Sequence, residues 1–381
     1  MTQQQKAIVI GAGIVGMATA RALALKGFEV EVFERDERAV GASIRNFGMI
    51  WPIGQPSGKL YKRARRSREI WQSICEEAGI WHDPVGSLHL AYHDDELQAI
   101  REYVSANAAE RNCALLTPAE ALEKSPSINR EGLLGALWSP DEMIVEAREA
   151  IGQVAAFLEK KYNIRFHWHT AIHKISYPAV FSGNQQWEAD QIYVCSGVDF
   201  ETLYPDTFRQ LSLTKCKLQM MRAAALAEGQ RIGPSLCGGL SMVHYPGFQS
   251  AASLPALKKR YEEQYAEELK WGIHVMVSQN QYGELTIGDS HEYGLTHDPF
   301  SRGFIDQMII NYLGTFTQLQ SSQIIQHWVG FYPKMTNDST ELVLSPEAGV
   351  TIINGVGGNG MTLSFGLAEE VINGEIPVNT L

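Results

Sequence analysis

The first hydrophobic run of the chain, "KAIVI" at Lys6 to Ile10, is short, continuous and closed by glycine, the pattern of a buried strand. From Ile14 to Lys26 apolar positions recur at helical spacing, and Glu29 to Phe33 reads as a second strand. Strand, helix and strand within about thirty residues make a βαβ unit. Helical periodicity returns over Ser57–Ala78, Asp94–Asn112 and Glu146–Tyr162, and "TPAE" at Thr117–Glu120 is a capping box opening a short helix. Strands are predicted at Gly86–Tyr92, Ile164–Trp168 and Ala189–Gly197, with a ribbon starting at Ile172. Between Leu211 and Gln326, strands ("KCKLQMMRAAA", "GIHVMVSQ", "ELTIGD") mix with helices near Lys258–Lys270 and Ser301–Leu319. The last segment runs as strand Gly349–Val356, glycine turn, and helix Met361–Asn373.

These elements predict an α/β protein. The βαβ start, the middle strand and the terminal strand–glycine–helix fit one sheet, so the Rossmann-like nucleotide domain is discontinuous. Its expected segments are 1–80, 143–208 and 326–381; residues 81–142 and 209–325 form a second, α+β substrate domain on a mixed or antiparallel sheet.

Composition narrows the class. The 381 residues are 45% hydrophobic and 20% charged, ordinary for a globular protein, with a net charge of -11 that disfavours a nucleic-acid partner. Five cysteines, an odd number without a CxxC pair, argue against a disulfide framework or a zinc site and for a reducing compartment. The N-terminus enters a strand without a basic leader or cleavage site. Its apolar run is broken by glycines and Arg21, so no membrane span is expected and the cytoplasm is the expected location.

Gly11, Gly13 and Gly16 satisfy GxGxxG between that first strand and helix, with Ile14, Val15, Phe33 and Arg35 flanking the motif. Gly11 makes the tight turn, Gly13 lets backbone approach a pyrophosphate, and Gly16 lets helix pack on strand. The helix start offers N–H groups and a positive dipole end. Glu34 closes the second strand, where it can accept from both ribose hydroxyls and repel a 2′-phosphate. NAD and FAD share this fingerprint. A second cradle, Gly357, Gly358 and Gly360 with Asn359 to Thr362, suits a longer cofactor, where a helix start stabilises charge on a reduced flavin. The cofactor expected is therefore FAD, held non-covalently, since no cysteine or histidine is assigned to a flavin linkage.

Three features in order, the extended GxGxxG through Glu34, "ADQIYVCSGV", and "WVGFYP…GVGGNGMTLSFGLAEE", resemble the D-amino-acid oxidase/glycine oxidase superfamily of FAD-dependent oxidoreductases. Within it, "GASIRNFGMIWPIGQ" with "GDSHEYG" resembles a branch associated with phosphonate breakdown, whose members act on 2-aminoethylphosphonate-like amines. The resemblance implies that Ser43 to Met49, including Arg45, Asn46 and Gly48, pass the pyrophosphate and run beneath the flavin ring. It places Ile172 at adenine, Cys195, Ser196 and Gly197 at the pyrophosphate, and Gly330, Gly358, Asn359, Gly360, Met361 and Thr362 at the ring. Amino-acid oxidases of this group carry a carboxylate-clamping arginine where this chain has Tyr332, in "GFYPKMTND". A substrate whose anion is held elsewhere follows from that departure.

The expected reaction is hydride transfer from a carbon bearing nitrogen, followed by imine hydrolysis. The expected partners are a small-molecule amine and oxygen or another electron acceptor. The alternatives on the same fold are a 2-hydroxy-acid dehydrogenase and a D-amino-acid or glycine oxidase. Candidate catalytic residues are Arg45, His244, Tyr245, Tyr332 and Lys217, with His291 a further pocket candidate. Arg45 can neutralise a substrate anion or contact the cofactor phosphates, and Asn46 is expected to hydrogen-bond the cofactor. Strand alternation groups Lys215, Lys217, Gln219 and Met221 on one face, and a lysine there can activate oxygen or bind substrate. The basic run "YKRARRSRE" reads as a solvated helix face, with a dianion patch as the alternative. "HWH" at His167–His169 has no third ligand and reads as structural; no metal is expected.

Overall fold

Two sheets organise the chain in a computed structural model that describes residues 4–227, 229–319 and 321–380. The first has seven strands, in the order Asn379–Thr380, Leu342–Glu347, Val350–Asn354, Gln191–Val194, Lys6–Ile10, Glu29–Phe33 and Arg165–His167. Lys6–Ile10 runs parallel to both neighbours, with Val9 opposite Val32 on one side and Tyr193 on the other. The absence of apolar/polar alternation in "KAIVI" follows from burial on both faces. Ala7 and Val9 pack with Met17, Leu23, Val154 and Phe365 on the helical side. Ile8 and Ile10 pack with Phe33, Ile172, Val180 and Phe208 on the other.

The helices Ile14–Leu25, Ala147–Tyr162 and Gly360–Ile372 cover the first of these faces. Close approach there is set by glycine: a Cβ at Gly16 would lie 1.8 Å from the Gly11 carbonyl oxygen. The helix Lys59–Ala78 lies against Gly360–Ile372, where Trp71 Nε1 donates to the Met361 carbonyl at 2.8 Å.

The second sheet has nine strands and is mainly antiparallel, Ser235–Cys237 running parallel to Ser87–Ala91. Its longest pair is Leu213–Ala223 with Ile324–Met335, which sets Cys216 opposite Tyr332 and Leu218 opposite Gly330. Residues 326–335 thus run in this sheet, while 342–354 run in the first. The α/β class expected from the sequence is the class observed. One helix stops earlier than its pattern: Asp94–Asn107 ends where Asn107 Nδ2 turns back on the Tyr103 carbonyl at 2.7 Å and on Ser250. No helix among the described residues is long and apolar enough to cross a membrane.

Candidate functional site

A cavity of about 850 Å3 opens between the two sheets, walled by the glycine loops of the first and by strands of the second. At the first loop, Gly11 adopts φ +103° and donates its N–H to the Phe33 carbonyl at 2.8 Å. A Cβ there would lie 2.4 Å from the Cys195 carbonyl oxygen, so only glycine lets the two strand ends pass. Gly13, Ile14 and Val15 line the cavity at the start of the helix Ile14–Leu25. Helix starts leave N–H groups unpaired; here Ser43 Oγ takes the one from Ile14, at 2.9 Å. Glu34 lines the wall with one oxygen accepting from Ala12 N at 2.9 Å and the other from Asp36 N at 3.2 Å. Each oxygen keeps a second lone pair, and the carboxylate is braced by the glycine loop it serves.

Phe33, Arg35, Ile172, Cys195, Ser196 and Gly197 complete this side. Arg35 pairs with Asp199, and Ser196 Oγ donates to the Asp199 carbonyl at 2.9 Å. Cys195 is buried, which pushes its thiol up to about 12 and leaves it protonated and inert.

The segment 42–48 curls through a short 3-10 turn, and Ser43, Arg45 and Asn46 line the cavity. Asn46 is used inside the loop: its amide donates to the Ala42 and Ser43 carbonyls at 2.9 Å and accepts from Gly48 N at 2.8 Å. These bonds shape the loop, and Asn46 also borders the cavity. Arg45 donates to the Val329 carbonyl at 3.3 Å, and a Cβ on Gly330 would lie 3.1 Å from the Arg45 carbonyl oxygen. On the far wall Gly358, Asn359, Gly360 and Met361 line the cavity where the helix Gly360–Ile372 begins. Asn359 accepts from Gln55 at 2.9 Å.

Several expected positions stand behind the wall. Gly16 serves helix packing, as described. Gly48, at φ +73°, lets the loop pass Val145, whose carbonyl oxygen would lie 2.0 Å from a Cβ. Met49 is buried in the strand pair with Ile144, and Thr362 Oγ1 accepts from Trp51 N at 2.9 Å. Lys217 is the clearest correction. Cys216, Leu218 and Met220 pack with Tyr332, so Lys217 points to the opposite face of the sheet. There it is fully buried, donating to the Asp298 and Phe300 carbonyls at 2.8 Å. The basic run is likewise absorbed: Arg63 is buried and pairs with Glu341 and Glu370, Arg65 with Asp141, and Arg66 with Glu369.

The second sheet and the segments flanking its strands contribute His274, Asp289, His291, Tyr293, Tyr332 and Lys334, and the end of the helix Leu240–His244 adds His244 and Tyr245. Gly330, Tyr332 and Lys334 alternate on one strand and face the cavity together. Lys334 Nζ donates to Tyr293 Oη at 3.0 Å. Burial holds the Tyr245 and Tyr332 phenols well above their usual range, so both keep their protons. His274 and Asp289 escaped the sequence reading, because a lone histidine in "GIHVMVSQ" and an aspartate after "ELTIG" carry no periodic or spacing signal. Lys334 lies two residues beyond Tyr332.

The cavity suits a dinucleotide of FAD's length. Two helix starts, Ile14–Leu25 and Gly360–Ile372, open on it, Glu34 lies beside the first, and a Cβ on Gly13 would crowd Ser43 Oγ at 3.1 Å, where that hydroxyl caps the helix start. Among solved structures, the fold is similar to an L-proline dehydrogenase from P. horikoshii, with TM-score 0.78 and 22% identity over 98% of this chain and 93% of that one. It is also similar to a glycine oxidase from Geobacillus kaustophilus, with TM-score 0.77 and 19% identity over 98% of this chain and 96% of that one. In sequence, 164 residues are 29% identical to the glycine oxidase of Geobacillus kaustophilus (strain HTA426), covering 41% of this chain and 44% of that enzyme. The chain thus matches less than half the length of that curated relative. The family model described as "FAD dependent oxidoreductase" (DAO) matches residues 6–373. With its glycine loops, Glu34 and the cavity they border all inside that match, the chain belongs to the DAO family of FAD-dependent oxidoreductases.

Proposed function

We propose that the protein oxidises the C–N bond of a small amine that carries an anionic group, an N-alkylated aminophosphonate or a 2-aminoethylphosphonate-like compound being the favoured class. Gly11, Gly13, Glu34, Ser43 and Arg45 would hold the FAD on one side, and Gly330 and Gly358 to Met361 on the other. When bound, FAD would supply a two-electron acceptor for the hydride on the carbon next to nitrogen. The chain's own residues do the rest. Lys334 and Arg45 raise the local positive potential, which favours the neutral amine over the ammonium that cannot release hydride. The amine proton passes to solvent. Water then adds to the C=N bond of the oxidised substrate, and collapse releases a carbonyl compound and ammonia or a primary amine.

The observation that carries this reading is the face built by Tyr332 and Lys334. A planar guanidinium fork suited to an α-carboxylate is replaced by a phenol, and a point-charge ammonium stands two residues further along the same face. That arrangement favours a substrate whose anion is tetrahedral and lies further from the reacting carbon. Product analysis tests it. Incubation of the flavin-loaded enzyme with N-methyl-2-aminoethylphosphonate and an electron acceptor is expected to yield carbonyl product and amine in equal amounts. Turnover of 2-hydroxy acids with none of the amines would replace the reading by the hydroxy-acid alternative.

A further inference from the structure

On the side of the cavity formed by the nine-stranded sheet, three imidazoles and one carboxyl group share a recess. His244 ends the short helix Leu240–His244, His274 precedes the strand Met276–Gln279, and Asp289 and His291 follow the strand Leu285–Gly288. His274 and His291 are buried, while His244 presents its ring to the open cavity. The His244 and His274 rings stack at 3.7 Å and 8°, and His291 lies 4.9 and 5.0 Å from them at 13° and 20°.

A shared metal is the first use to weigh, since the three ring nitrogens lie within 4.8 Å of one another. The stacking argues against it. An imidazole lone pair lies in the plane of its ring, so three nearly parallel rings direct their lone pairs side by side instead of toward one ion.

The proton inventory points elsewhere. Gly272's carbonyl can only accept, so His291 Nδ1, 3.0 Å away, carries the ring proton, and its bare Nε2 faces Asp289 Oδ2 at 3.6 Å. Two lone pairs face each other there unless Asp289 is protonated. Burial pushes the Asp289 carboxyl well up, in agreement. Burial holds His291 down to about 4 and His274 well below its usual value, with Lys334 adding to both shifts. Cys216 is pushed up to about 12, and Tyr245 and Tyr332 are held well above their usual range, all chiefly by burial. Tyr293, also pushed up by burial, joins them as a neutral donor. Burial and the neighbouring rings also hold His244 well below its usual value, so the imidazoles, Asp289, the phenols and the thiol are neutral, with the Lys334 side chain at the edge of the recess. Two buried polar atoms in it, His274 Nδ1 and Asp289 Oδ1, lie 3.3 Å from each other without hydrogen-bond geometry and have no other partner. Such a recess, rich in donors and in imidazoles able to become cations, matches a dianion with several oxygens.

We propose that the recess of His244, His274 and His291, with Lys334 at its edge, seats the tetrahedral oxyanion of the substrate and takes up a proton from solvent as it does so. The inference rests on the aminophosphonate reading but is tested apart from turnover. Sulfate is the probe, because it stays a dianion across the neutral range and any proton taken up belongs to the protein. The flavin-loaded enzyme is titrated with sodium sulfate at constant ionic strength, followed by the visible flavin spectrum and by calorimetry in buffers of different ionisation enthalpy.

Sulfate is expected to bind with net proton uptake, its affinity rising as pH falls from about 8 to 6, by up to tenfold per unit for one linked proton. H244Q, K334M and H274Q are each expected to weaken it on the order of tenfold or more. H244Q changes a ring open to the cavity, which keeps the test available if the buried H274Q fails to fold. Binding that is independent of pH, unchanged in H244Q and K334M, or limited to an adventitious ion only would overturn the inference. So would stoichiometric binding of zinc added alone that H244Q and H274Q abolish. Proton-linked sulfate binding by an enzyme whose flavin no amine reduces would support the recess and sink the amine reading. Oxidation of simple amines without sulfate binding would do the reverse.

Discussion

Glu142 is almost wholly buried, its carboxylate accepting from Ile53 N at 2.9 Å and Ser87 Oγ at 3.0 Å. Burial outweighs these hydrogen bonds and raises the carboxyl from 4.5 to about 7. Between those values the folded protein holds a proton that the unfolded chain has released. Stability is thus fully present below the unfolded value and is lost as pH rises through the folded one. E142Q keeps the shape and cannot lose that proton, so urea unfolding should show it gaining about 3 kcal/mol on wild type between pH 4 and pH 8. Parallel pH profiles for the two proteins would contradict this. At Gly16 the constraint is steric. G16A places a methyl group 1.8 Å from the Gly11 carbonyl oxygen, and the helix must retreat from the glycine loop. A loss of about 1–3 kcal/mol is expected, together with purification at reduced flavin content; a fully loaded G16A of normal stability would refute it. Sequence made the glycine's task legible because spacing alone specifies it. The lysines show the opposite. Lys217 and Lys334 are both near the cavity in the chain's pairing, and only the parity of each strand sends one to the carbonyls of Asp298 and Phe300 and the other to the cavity.

Among the elements, the helix Lys59–Ala78 carries the basic run, and Arg63 and Arg66 pair with acidic residues of the terminal helix and with Glu341. Arg63 donates through Nε and Nη2 to both oxygens of Glu370 at 2.9 Å and through Nη1 to Glu341 at 2.9 Å. The pairing fixes the helix Gly360–Ile372, whose start borders the cavity. R63M leaves two mostly buried carboxylates without their partner, and a cost of about 3 kcal/mol is expected. Thermal unfolding should show a large fall in Tm that added FAD only partly restores. A Tm within a degree or two of wild type would show that the pairing is a surface feature after all. A run of like charges usually marks a solvated face, and nothing in "YKRARRSRE" itself reveals that Arg63 meets Glu341 and Glu370 from the far end of the chain. The first βαβ unit and the last glycine turn were legible for the converse reason: their pattern, turn and helix start are local.

For the whole molecule, the cavity divides along the same line. Its side on the first sheet is built mainly from short consecutive segments, 10–15, 33–36, 39–47 and 195–199, whose motifs a reader of sequence can recognise. Its other side is assembled from His244, His274, Asp289, His291 and the Tyr332–Lys334 strand, which meet only because the second sheet brings distant strand ends together. The cofactor side is therefore readable from local motifs, whereas the grouping of His244, His274, Asp289, His291 and Lys334 needs the tertiary structure. The central claim joins the two: FAD on one side, an anionic amine on the other. Anaerobic mixing of the flavin-loaded enzyme with 2-aminoethylphosphonate, its N-methyl form, glycine and 2-hydroxyglutarate tests it most directly. The account predicts that the visible flavin absorbance bleaches with an aminophosphonate, in one of its two forms, and more slowly or not at all with glycine and the hydroxy acid. Bleaching by 2-hydroxyglutarate with no response to either aminophosphonate would contradict it.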